Sequence, residues 1–72
     1  MNNKRRQKIR NAISNICDVV EDILEEEEES YENMPEGIQT SIRGAESEEA
    51  QDNLHNAIGA LEEAISCLED II

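Results

Sequence analysis

Two helical stripes separated by one break constrain this chain more than any other feature. Leu54, Ala57, Ile58, Leu61, Ala64, Ile65, Leu68, Ile71 and Ile72 recur at steps of three and one, which is the signature of one face of a helix. Upstream, Ile9, Ile13, Ile16, Val20 and Ile23 recur at steps of four and three, and Cys17 and Leu24 flank them. Neither segment alternates at period two, so strands are excluded. Between the stripes lies "NMPEGIQTSIRG". Pro35 cannot continue a helix, and it pushes Met34 toward an extended backbone. Gly37 and Gly44 add permissive backbone.

The spacing therefore predicts a helix over about 3–32, a turn over about 33–44 and a helix over about 45–72, in one domain covering 1–72. Asn2 or Asn3 can cap the first helix. Asn33, Pro35 and Glu36 can start a single helical turn inside the connection. Equal helices with a short link imply an all-α antiparallel two-helix hairpin. The second stripe is too wide for one neighbour to cover, so pairing of two hairpins into a four-helix bundle is expected, with Ala12 and Val19 beside the first stripe in the second interface. Gly59 marks a candidate close approach of the helices.

The apolar pattern fails toward the turn. Continuing past Ile23 meets Glu27 and Ser30, and the second helix offers only Ala45 and Ala50 before Leu54. Tyr31, Met34, Ile38 and Ile42 are the side chains expected to close that end, and Glu27 would face Gln51 or Asn53.

Charge is divided between the ends. Net charge is -12, and five of the six basic residues lie in the first ten positions. Residues 18–52 hold fourteen acids against Arg43 alone. In the first helix this opposes the helix dipole at both ends, by about 0.3–1 kcal/mol per terminal charge. The pattern was not set by helix propensity.

These features exclude most function classes. One aromatic, Tyr31, cannot make a stacking platform for single strands, and the field has the wrong sign for binding phosphates. Adjacent glutamates point to different faces of a helix and make no metal cage, and no calcium loop is present. His55 stands alone, and no nucleophile–base pair, phosphate loop or cofactor motif is readable, so the chain is not expected to be an enzyme. Cys17 and Cys67 read as small apolar residues, about 10 Å apart along the rod and so too far apart to bridge. No apolar run approaches the ~20 residues of a membrane span. With no secretion signal following the basic start, a cytoplasmic location is expected.

The acids remain. Asp18, Asp22, Glu25 and Glu29 form one row at helical spacing, and Glu21, Glu28 and Glu32 form another. Neighbours in such rows lie about 5–6 Å apart, comparable to successive phosphates on a nucleic-acid strand. Two readings stand side by side: a backbone-mimicking surface for a basic protein, in particular one that binds nucleic acid, or a solvated face that keeps a self-assembling structural bundle soluble. Tyr31, Gln39 and Arg43, beside the acidic end, are either further partner contacts or ties that order the turn.

The stretch "ESYENMPEGIQTSIRG" resembles a group of small acidic proteins of phages and prophages of Gram-positive bacteria, whose turn follows an "AYxNMPExLQxSERG"-like pattern. Tyr31, Asn33, Met34, Pro35, Glu36, Gln39, Ser41, Arg43 and Gly44 match, while Ser30, Gly37 and Ile42 depart from it. The resemblance implies a phage origin, hence the host cytoplasm as the place of action, and no particular chemistry. By analogy with other small acidic phage proteins it strengthens the mimicry reading, with a host defence nuclease as the target.

Overall fold

The computed structural model describes residues 1–71, a rod whose Cα extents are 55 × 16 × 12 Å. Three helices follow in order: α1 (Asn3–Glu32), α2 (Glu36–Gln39) and α3 (Ile42–Glu69). No strand occurs among the described residues. α1 and α3 pack antiparallel, so the fold is the expected all-α hairpin.

Local signals set the bounds of α1. The Asn2 side chain, on extended backbone, accepts from the Arg5 N–H at 2.9 Å. At the other end the Asn33 and Met34 N–H groups bond back to Glu29 and Tyr31 carbonyls at 3.0 and 3.1 Å, and Pro35 ends the helix. Pro35 then opens α2, its carbonyl accepting from Ile38 and Gln39 at 2.8 and 3.0 Å. This is the single helical turn that the sequence allows inside the connection.

α3 starts at Ile42, three residues ahead of the sequence boundary. Ser41 carries the extended backbone of a cap, and its hydroxyl donates to the Ile38 carbonyl. One residue thereby closes α2 and opens α3. No glycine has a positive φ, so neither Gly37 nor Gly44 is used for backbone freedom. Gly44 is buried where α3 crosses α2: a Cβ there would sit 1.9 Å from the Gln39 carbonyl oxygen and 2.7 Å from its Cα. Gly59, by contrast, has open space around it and is not where the helices approach. Gly59→Ala should therefore stabilise the protein by up to about 1 kcal/mol through helix propensity alone. A thermal melt with no gain would contradict that.

The roll of α1 differs from the sequence reading. Ile9, Ile13, Cys17, Val20 and Leu24 are buried or half-buried, whereas Ile16 and Ile23 are 43% and 46% exposed. Contacts near the turn select this roll. Tyr31 and Glu27 reach across to α3, and stepping back from them by four and three residues gives Leu24, Val20, Cys17 and Ile13. On α3 the inward line is Ser47, Gln51, Leu54, Ile58, Leu61, Ile65 and Leu68, at alternating steps of four and three. Ala57, Ala64 and Ile71 of the same stripe stay exposed, because one neighbouring helix covers too narrow an arc.

Toward the turn the core becomes polar. Ser47, 4% exposed, donates to Glu27 Oε1 at 2.7 Å, and Gln51 Nε2 reaches the Ser47 hydroxyl at 3.3 Å. Glu27 does face α3, but Ser47 is its partner; Gln51 supports Ser47, and Asn53 is exposed. Tyr31, Met34 and Ile38 are half-buried there, while Ile42 is 78% exposed and takes no part. As the first residue of α3, Ile42 lies on the outer side of the helix start. At the open end Arg6 Nε donates to the Ile71 carbonyl at 3.0 Å, tying the two helix ends together. Both cysteines are free thiols.

Candidate binding surface on the acidic flank

α1 fixes the surface. At about 100° per residue, Asp18, Glu21, Asp22, Glu25, Glu29 and Glu32 fan over its outer side and one flank, and all are exposed. Glu28 lies nearer the hairpin seam and is half-buried. His55 of α3 meets it, Nε2 3.4 Å from Oε1, which places both side chains on the same flank of the rod. The two side chains are 61% and 41% exposed, so solvent screens the pair and it contributes little to stability.

That contact brings α3 into the surface. Glu48, His55 and Glu62 recur every seven residues and share the flank with the acids of α1. Between the helices on this side runs an open groove of about 380 Å³, floored by Ile13, Cys17, Ile58 and Ile65 and rimmed by Asp18, Glu21 and Glu62. The sequence reading assigned α3 only Arg43. The seven-residue spacing of Glu48, His55 and Glu62 was visible in the sequence, but the flank they occupy depends on the hairpin's register.

The residues at the turn separate into two groups. The Tyr31 hydroxyl donates to Glu48 Oε1 at 2.5 Å, and Gln39 Nε2 donates to the Tyr31 carbonyl at 2.9 Å. Both side chains thus order the junction of α1, α2 and α3. Arg43 is exposed on the first turn of α3. No group of three or more His, Cys, Asp or Glu side chains converges to hold a metal ion among the described residues.

The hydrogen bond to Glu48 raises the Tyr31 pKa above its ordinary 10.0, with partial desolvation and the Glu48 charge adding to it. The folded state favours the neutral phenol. Its contribution to stability is therefore complete below pH 10 and is lost as pH rises past that value through the folded pKa. Tyr31 is the only aromatic residue, so absorbance of tyrosinate reports it alone. Titration should fall above 10.0 in the native protein and move back toward it in Glu48→Gln. A native midpoint at or below 10.0 would contradict the contact.

No family model matches this sequence. No curated protein and no solved structure matches it either.

Proposed function

We propose that this protein is a non-catalytic binding protein whose acidic flank engages a basic surface on a partner that handles nucleic acid. The observation that carries the proposal is the continuity of the flank. Seven carboxylates of α1, from Asp18 to Glu32, run along one side of a narrow rod, joined by Glu48 and Glu62 of α3. Carboxylates on successive turns present negative charge at about 5–6 Å intervals, which suits a groove built to follow a phosphate backbone. They also hold that position against the dipole of α1, whose last turn carries no base. The resemblance of the turn to small acidic phage proteins supports a host partner, a defence nuclease being the sharpest case.

Charge steering toward such a partner is screened over about 8 Å at physiological ionic strength. Capture from host lysate across a salt series, read by mass spectrometry, tests the proposal. Nucleic-acid-binding proteins should be enriched at low salt and released as salt rises. Enrichment without that class would favour the other reading, a self-assembling structural element whose acids only confer solubility.

A further inference from the structure

Opposite the acidic flank the rod carries a second apolar face that none of the described residues covers. Ile16, Val19 and Ile23 are 43%, 43% and 46% exposed, and Ala12 completes their row at steps of four, three and four. At about 100° per residue this row is turned a quarter of the way round α1 from the line that meets α3. Ala57, Ala64 and Ile71 are turned the same amount on α3. Because α3 runs the other way, both rows emerge on one broad side of the hairpin. His55 and Glu28, which touch each other, mark the opposite side.

We propose that this face binds a second copy of the chain, with the two rods antiparallel, so that α1 lies on α1 and α3 on α3 across a two-fold axis perpendicular to the rod. Three observations select that occupant. The first is charge. Along the face, Arg5 and Lys8 precede the apolar row at the open end, and Glu26 and Glu46 follow it at the closed end. Run against a copy of itself in reverse, the row sets base on acid at both ends. The other two-fold arrangement, α1 on α3 with the rods parallel, sets Glu26 of each chain beside Glu46 of the other.

The second observation is a shared pivot. The α1 row is symmetric about the point between Ile16 and Val19, so reversal lays Ile16 on Val19 and Ala12 on Ile23. On α3 the pair Ala57 and Ala64 is symmetric about the point between Ala60 and Leu61, so reversal lays Ala57 on Ala64. The Arg6–Ile71 and Tyr31–Glu48 contacts set the register of the hairpin and bring these two points level. One axis therefore serves both helices, and the small alanines allow close approach there.

The third is size. Leu24 is the only buried hydrophobic side chain among the described residues, too little core for a domain of this length. The broad side of the 55 × 16 Å rod offers roughly 880 Å², close to the ~800 Å² per partner of a standard interface. The acidic flanks stay outside in such a dimer, and the inference stands whether or not they bind a partner.

Sedimentation equilibrium at micromolar concentration should give twice the 8.1 kDa chain mass. Arg5→Glu with Lys8→Glu should weaken association at least tenfold, and adding Glu26→Lys with Glu46→Lys should restore it. These exposed positions leave the hairpin core untouched, and circular dichroism checks that the variants stay helical. With Cys17 and Cys67 replaced by serine, oxidation of a mixture of Ala57→Cys and Ala64→Cys chains should give a covalent dimer that neither variant forms alone. An 8.1 kDa species, charge reversal without effect or without rescue, or no mixed disulfide would each overturn the arrangement.

Discussion

Gly44→Ala should lower the melting midpoint by about 15 °C or more at fixed protein concentration. The added methyl would meet only backbone atoms of Gln39, at 1.9, 2.4 and 2.7 Å, and no side chain there can swing away. Relieving the clash means parting α3 from α2, and with them the Ser41 hydroxyl bond to Ile38. Overpacking of this kind costs about 3 kcal/mol. For a domain of this size each kcal/mol moves the midpoint by about 4–8 °C. Gly37→Ala is the control, since a Cβ at Gly37 meets nothing within 4 Å. Equal melts for the two variants, followed by circular dichroism, would show that the corner does not hold the hairpin.

Neutralising Glu25, Glu28 and Glu29 to glutamine together should separate stability from binding. The three stand within two turns of one another at the C-terminal part of α1, beside Glu32 and with no base in the last turn. Removing their mutual repulsion and their unfavourable placement on the dipole should leave the melting midpoint unchanged or raised. The lost pairing of Glu28 with His55 is too exposed to reverse that. Affinity for a basic partner should fall about 10- to 100-fold, at about 0.5–1 kcal/mol per surface charge, and its salt dependence should flatten. Binding that survives with the same salt sensitivity would leave the acids as a solubility device.

Much of this fold was legible in the sequence because local signals carry it. Asn2 and Pro35 bound α1 through a cap and a missing N–H, and both effects depend only on neighbouring residues. The start of α3 was misplaced because Ser41 caps it while also closing α2, a role that exists only once the two helices meet. The roll of α1 was ambiguous for a similar reason. Ile16 with Ile23, and Cys17 with Leu24, sit on either side of Val20 in one wide apolar arc. Tyr31 with Glu48 and Glu27 with Ser47, distant in sequence, decide between them. Gly44 was read for permissive backbone and Gly59 for close approach, and the crossing of α2 by α3 puts the close approach at Gly44 instead.

The acidic rows of α1 were legible because helical spacing alone places them on one side. The acids of α3 join them through the register that sets His55 beside Glu28, which spacing within one helix does not encode. Tyr31 and Gln39 were left between two roles, and their hydrogen bonds give each a structural one.

Competition with duplex DNA tests the binding proposal most directly. The protein is immobilised, loaded with the partner it captures at low salt, and washed with duplex at constant ionic strength. Mimicry requires that the acidic flank and the phosphate backbone occupy the same groove, so duplex should release the partner, and Glu25→Gln/Glu28→Gln/Glu29→Gln chains should hold less of it to begin with. A partner that stays on the protein while binding duplex, in a ternary complex, would contradict it.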